Sequence, residues 1–207
     1  RSKKPRGSKA KESVEENLKK LDPVVVSNQG HEVEDVEEEN FSSDEIIFSP
    51  NPGPQTNFLA STEQEVLYGG SAGGGKSYSL VADPVRYFGN SNARMLIVRR
   101  STEELRELIS VSKQLYPKAV PGIKFMERDK TWVAPSGATL WMSYLDRDDD
   151  VMRYQGQAFN WIGFDELTQW PTPYPWNYMR SRLRTTRASG LPLYMRATSN
   201  PGGPGHQ

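Results

Sequence analysis

The chain has 207 residues, enough for one domain of ordinary size, with 26 Lys/Arg balanced by 26 Asp/Glu and no cysteine. The lack of cysteine excludes a disulfide scaffold and a cysteine-based zinc site. No apolar run approaches the roughly eighteen residues that cross a bilayer, and the N-terminus lacks the apolar core of a secretory signal, so a soluble intracellular protein with no membrane partner is expected.

The zero net charge hides a division. Residues 1–20 hold eight Lys/Arg against three acids, and residues 21–47 hold nine acids and no Lys/Arg. This segment is poor in aromatics and apolar runs, and residues 1–47 are expected to form a disordered charged tail, with residues 48–207 as the folded domain. A basic arm of this kind suits nucleic acid or a partner as well as a solvated tail. Repeats of twenty to fifty residues are not apparent.

From Ser49 to Gln55 the chain is punctuated by prolines and reads as an extended lead-in. Glu65–Tyr68 then reads as a short buried strand, followed by Gly70-Ser71-Ala72-Gly73-Gly74-Gly75-Lys76-Ser77. That octet has the composition of a phosphate-binding loop. Its glycines let backbone N–H groups turn inward and phosphate oxygens approach, Lys76 reaches the outer phosphates, and the Ser77 hydroxyl suits a magnesium ion. Lys76–Phe88 reads as a helix, interrupted or ended near Pro84, whose N-terminus favours an anion. Met95-Leu96-Ile97-Val98 is a continuous apolar run of the kind found in a parallel strand covered on both faces. Ser101 or Thr102 caps a following helix with Glu103 and Glu104 in its first turn.

Strand, helix, strand, helix implies an α/β fold, a mostly parallel sheet flanked by helices. Trp132–Ala134 and Thr139–Tyr144, joined by Pro135-Ser136-Gly137, read as an antiparallel excursion at the sheet edge. Trp161-Ile162-Gly163-Phe164 returns to a buried strand. A helix carrying Arg180, Arg182 and Arg184 follows, and Leu193–Thr198 is the last strand. The Arg180–Arg187 segment suits either a DNA phosphate backbone or an amphipathic face packed on the sheet.

Asp165-Glu166 ends the Trp161–Phe164 strand. Ligands gather at the C-terminal edge of an open parallel sheet, so Asp165 there can anchor magnesium while Glu166 orients the attacking water. Thr198-Ser199-Asn200 ends the next apolar strand and faces the same edge, either sensing the terminal phosphate or forming an ordinary capped turn. An arginine that stabilises the transferred phosphoryl group is also expected, and composition does not choose among Arg99, Arg100, Arg153 and Arg184.

Taken together, these segments resemble the ATPase domain of the large terminase subunit, the DNA-packaging motor protein of tailed bacteriophages. The resemblance runs from about Pro50 to the end. It rests on Gln55, on Tyr68 to Ser77, on Ile97-Val98-Arg99-Arg100 with Glu104-Leu105-Arg106, on Tyr154-Gln155-Gly156, on Gly163 to Trp170, and on Thr198 to Gly203. It implies a phosphate-loop NTPase with an additional strand and a catalytic glutamate, using ATP and Mg2+ in the host cytoplasm. It implies partners too: viral double-stranded DNA, the portal protein, the small terminase subunit and like copies in a ring, of five subunits, on the procapsid. Gln55 would contact adenine, Thr198, Ser199 and Asn200 would couple hydrolysis to movement, and Arg153 would be donated into a neighbour's site, with Arg184 and Arg99 as rivals. The family's nuclease and lid are expected to lie beyond Gln207, so no nuclease residues are assigned. Two alternatives stand beside the motor: a helicase-like DNA translocase, and an ATP-binding assembly module without turnover.

Overall fold

Met95, Leu96, Ile97 and Val98 are all buried, and burial on that scale is worth about 2 kcal/mol for each such side chain. They form the middle of a sheet in the computed structural model, which describes residues 46–206 except Ala72 and Gly74. The charged tail expected over residues 1–47 lies, but for its last two residues, outside the described residues. Residues Pro50–Gln207 form a compact unit of their own. Its regular elements are α1 (Pro54–Ala60), β1 (Glu65–Gly69), α2 (Lys76–Ala82), β2 (Arg94–Arg99), α3 (Thr102–Ala119), β3 (Lys124–Met126), β4 (Thr131–Val133), β5 (Thr139–Tyr144), β6 (Trp161–Phe164), α4 (Tyr174–Arg180) and β7 (Tyr194–Ser199). Short 3-10 turns occupy Asp83–Tyr87, Asp148–Tyr154, Leu167–Gln169 and Arg187–Ser189.

The seven strands form one sheet in the order β1-β7-β6-β2-β5-β4-β3. The first five are parallel, β4 is added antiparallel to β5, and β3 antiparallel to β4. This is the expected α/β architecture, open and mostly parallel with an antiparallel edge. Four details differ from the sequence reading. The extended lead-in expected as far as Gln55 stops earlier, because Pro54 opens the unforeseen helix α1 and Gln55 lies in its first turn. β1 is not a buried strand: it pairs only with β7, and Leu67 is 56% exposed. β5 belongs to the parallel sheet through its pairing with β2, so the antiparallel excursion is β4 together with the unforeseen β3. α4 ends at Arg180, leaving Arg182 and Arg184 in the chain beyond it.

Packing fixes the helices relative to the strands. α2 lies against β7 and α3, and α3 against β2 and β5. The aromatic rings of Phe88, Tyr116, Trp132 and Phe125 follow one another at centroid spacings of 5.2, 5.2 and 4.9 Å. Their polar ends are satisfied: the Tyr116 hydroxyl donates to Val81 O at 2.8 Å and Trp132 Nε1 to Ser112 Oγ at 3.0 Å. Burial pushes the Tyr116 hydroxyl well above its ordinary pKa, so it stays a neutral donor. β6 carries Gly163 because a Cβ there would stand 2.5 Å from Cη2 of Trp161 and 3.2 Å from Leu80 on α2. A second buried cluster ties the segment entering β1 to β7. Arg196 donates to Ser61 O and Glu63 O at 2.9 and 2.8 Å, and its Nε lies 3.8 Å from the buried Asp83 carboxylate. Asp83 also accepts from Trp161 Nε1 at 2.7 Å and pairs with Arg86 at 2.9 Å.

Candidate nucleotide site

The glycine-rich loop leaves β1 at the C-terminal edge of the sheet and delivers the chain into α2. Gly73 and Gly75 have φ of 83° and 66°, the left-handed region that a side chain disfavours. Gly75 is the residue immediately before α2, and a Cβ on it would lie 3.0 Å from Nε2 of Gln55. Lys76 is 5% exposed, and its ammonium reaches back across the loop to donate to Ser71 O at 2.6 Å. A buried cation on a lone carbonyl is incompletely compensated and is ready to exchange that contact for an anion. Gly70, Ser71, Gly73, Gly75, Lys76 and Ser77 thus form one loop. Ala72 and Gly74 lie outside the described residues.

Strand register brings the acidic pair to this loop. β7 lies between β1 and β6, with Gly69 level with Ser199 and Phe164 level with Ala197. The residues that leave the three strands therefore meet at one edge. Asp165 is fully buried there. Its Oδ1 accepts from Ser77 Oγ at 2.9 Å and from Thr198 Oγ1, while Oδ2 accepts from Nη1 of Arg99. Glu166 follows with φ 56° and ψ 52°, a left-handed backbone uncommon for a residue with a side chain. Its N–H donates to Thr198 Oγ1 at 3.2 Å. Both of its carboxylate oxygens are held by Asn200, through the backbone N–H at 3.1 Å and Nδ2 at 2.6 Å.

Thr168 joins the two exit loops. Its Oγ1 shares a 2.6 Å hydrogen bond with Ser199 Oγ, and its carbonyl accepts from Gly205 N at 2.9 Å. The approach is close enough that a Cβ on Gly203 would stand 2.7 Å from Thr168 O, and one on Gly205 2.0 Å from Trp170 O. Thr198, Ser199 and Asn200 are thereby each bonded to the turn that bears Asp165 and Glu166.

The four arginines separate. Arg99 is buried within the site on Asp165. Arg100 sits 3.6 Å from Asp148. Arg153 is two-fifths exposed: it donates to Tyr144 O at 3.2 Å, pairs with Asp150 at 3.1 Å and lies over the Tyr144 ring. Arg153 is thus not among the partners of Lys76, Ser77, Asp165 and Glu166. Arg184 pairs its backbone with Phe159, ahead of β6, which puts it at the opposite edge of the sheet. Gln55, on α1, is buried and hydrogen-bonded on both sides of its amide, accepting from Asn51 N at 2.6 Å and donating to Ser79 Oγ at 2.9 Å. Arg180 holds Glu65, at the start of β1, at 2.5 Å.

Glu104 and Gln169 carry no role in the sequence reading, yet they extend the site. Gln169 Nε2 donates to Glu104 Oε1 at 2.9 Å, Ser101 Oγ to Glu104 Oε2 at 3.1 Å, and Arg99 Nε lies 3.8 Å from that same oxygen. Burial pushes the Glu104 carboxyl up, but the Gln169 hydrogen bond, the Arg99 charge and the Ser101 hydrogen bonds together hold it below its ordinary value. Both lie in segments that carry the resemblance, and Glu104 also stands at the S-x-x-E spacing from Ser101 that describes a helix cap. The Ser101 hydroxyl does accept from Glu104 N at 3.3 Å.

The donor set suits magnesium. One buried carboxylate flanked by the Ser77 and Thr198 hydroxyls supplies hard oxygen ligands for an ion that takes few protein groups and shares phosphate oxygens. Among the described residues there is no cluster of three or more His, Asp or Glu that would make an all-protein cage. Nor is any helix among them long and apolar enough to cross a membrane.

No protein-family profile and no curated protein matches the sequence. Solved structures do. The large terminase ATPase domain of Thermus phage P74-26 aligns with a TM-score of 0.57 at 14% identity, over 75% of this chain and 66% of that one. The HK97 bacteriophage large terminase aligns at 0.56 and 12% identity, over 73% of this chain and 33% of that one. The large terminase of a thermophilic bacteriophage, in complex with ADP, aligns at 0.51 and 18% identity, over 71% of this chain and 37% of that one. The chain has the fold of a large terminase ATPase domain and spans less than two thirds of the length of each of these structures.

Proposed function

We propose that this chain is the ATP-hydrolysing part of a motor subunit that drives viral double-stranded DNA into a procapsid, as a terminase large subunit. The observation that carries the reading is the 2.9 Å hydrogen bond from Ser77 to Asp165, which joins a phosphate-binding loop to a strand-end carboxylate, with Glu166 next in the chain. A carboxylate at that point, buried as Asp165 is, has little structural reason to stand against a glycine loop, and phosphoryl transfer needs both halves together.

In this reading the backbone N–H groups of the glycine-rich loop would hold the phosphates. Lys76 leaves Ser71 O for the outer phosphate oxygens. Ser77 and Asp165 would hold magnesium, which would supply positive charge against the phosphates. Glu166 accepts a proton from the attacking water as its oxygen bonds to the γ-phosphorus, and the bond to the leaving ADP oxygen breaks. Before that step Glu166 must exchange part of its hold on Asn200 for water, which ties hydrolysis to the loop after β7. Thr198, Ser199 and Asn200 then pass the loss of the γ-phosphate through Thr168 to both exit loops. Gln55 reaches adenine by giving up its bond to Asn51 N. Arg153, exposed and outside its own site, is the arginine donated to a neighbour. Buried Arg99 is unsuited to that task, and Arg184 stands at the far edge. DNA, the portal, the small terminase subunit and like copies in a ring, a pentamer, are the proposed partners.

The test is nucleotide binding and phosphate release by the purified chain, with Lys76→Ala, Ser77→Ala and Glu166→Gln. The motor reading expects the first two to lose affinity and the third to bind ATP without releasing phosphate. ATP affinity indifferent to Lys76 and Ser77 overturns it. Stimulation by portal and procapsid supports packaging, whereas stimulation by forked duplex alone supports the helicase-like alternative. ATP binding without any phosphate release supports the assembly module.

A further inference from the structure

Resting on that reading, we infer that Arg99 is an internal counter-ion of the metal site, which leaves Asp165 for Glu104 when a divalent cation is bound. The buried Asp165 carboxylate already has a guanidinium on Oδ2 and two hydroxyls on Oδ1. A guanidinium and a divalent cation on one fully buried carboxylate repel each other strongly, because little solvent screens them. Arg99 must therefore give ground.

The place it moves to is built. Arg99 Nε is buried and has no hydrogen-bond partner among the described residues, an unusual state for a charged group and one that normally costs stability. Glu104 Oε2 is the carboxylate oxygen 3.8 Å from it, too long for a hydrogen bond and short enough to need only a small rotation of the guanidinium. Glu104 is fixed to receive it, by Gln169 on one oxygen and Ser101 on the other. A solvated surface glutamate would have no need of two such supports. Arg99 thus faces two carboxylates, bonded to one and poised at the other, and the shift between them keeps its charge compensated throughout.

The exchange also has a route outward. Gln169 lies three residues beyond Glu166, in the 3-10 turn that Glu166 opens. A guanidinium drawn onto Glu104 pulls on the partner of Gln169, and so loads the turn that carries Glu166. Glu104 and Gln169 are positioning residues in this account, acting through Arg99 and Glu166.

The test reads nucleotide binding, not turnover. A fluorescent ADP is titrated into the purified chain in EDTA and at increasing Mg2+, for the wild type, Glu104→Gln, Arg99→Gln and the double variant, with thermal unfolding in EDTA as the check of folding. Glu104→Gln removes the receiving charge, so the Mg2+ needed for the half-maximal gain in affinity should rise about fivefold or more. Arg99→Gln removes the competitor, so that Mg2+ concentration should fall by a similar factor. In the double variant the effect of Glu104→Gln should vanish. Equal effects of Glu104→Gln with and without Arg99, or no effect at all, overturn the exchange. Should Arg99→Gln fail to fold, Arg99→Lys serves in its place, because an ammonium lacks the two-sided reach of the guanidinium and the Glu104 effect should shrink. A wild type that binds no ADP under either condition overturns the nucleotide-site reading itself, and is thereby distinct from failure of the exchange.

Discussion

Glu166 is held at both carboxylate oxygens by one asparagine and by a left-handed backbone, so its chemistry depends on release as much as on position. Asn200→Ala should lower phosphate release while leaving ATP affinity within a few-fold of wild type. Glu166→Gln should lower release by about two to four orders of magnitude, as loss of a general base does, and radiolabelled phosphate assays read both. Glu104 makes a prediction in pH. Its folded-state pKa is depressed, so the stability it contributes is complete well above its ordinary value of 4.5 and fades as the pH falls through and below that value. Glu104→Gln should therefore flatten the acid limb of the unfolding profile, measured by circular dichroism from pH 7 to pH 3. An unchanged acid limb would show that the hydrogen bonds from Gln169 and Ser101 add nothing to the ionised form.

At the scale of elements, β6 and α3 are the most exacting. Gly163→Ala places a methyl group 2.5 Å from the Trp161 ring beneath α2 and should cost about 1–3 kcal/mol by overpacking. Ser101→Ala removes the cap of α3 and should cost about 1 kcal/mol. Urea denaturation checks each. These same elements mark what the sequence made legible. The run Met95 to Val98 is of the kind found in a strand covered on both faces, and β6 and β7 followed from apolar runs that each end in polar residues. The proximity of Ser77 to Asp165 was legible for the same reason, because a loop and a strand end at one edge of a parallel sheet have nowhere else to meet. What escaped is equally physical. β3 is three residues long, too short for periodicity to register, and the exposure of β1 depends on strand order, which no local pattern encodes. Glu104 reads in the sequence as an acid in the first turn of a helix, and only the tertiary approach of Arg99 and Gln169 gives it further partners. α4 stops at Arg180 where charge alone suggested continuation.

For the whole molecule, two couplings stand out. Arg196, Asp83, Arg86 and Trp161 bind the lead-in to β1 to β7, β6 and the turn after α2, and removing one partner from such a buried pair leaves the other uncompensated. Asp83→Ala should cost about 3 kcal/mol or more, seen as a fall in the urea midpoint with little change in nucleotide affinity once folded. In an assembled ring, Arg153→Ala should bind ATP and fail to turn it over. Mixing it with Lys76→Ala subunits should restore partial activity, since each supplies what the other lacks at a shared boundary; a mixture as inactive as its parents would place the arginine elsewhere. The other coupling is the fastening at Thr168, where two loops approach so closely that glycine is the residue that fits at Gly203 and Gly205. A tug on the backbone near Pro204 would travel through the Gly205–Thr168 hydrogen bond into the turn that, in the proposed function, aligns water with phosphorus. If the proposed motor function holds, mechanical load and bond cleavage would be felt by the same few atoms, and resistance met outside the domain would set the pace of the chemistry within it.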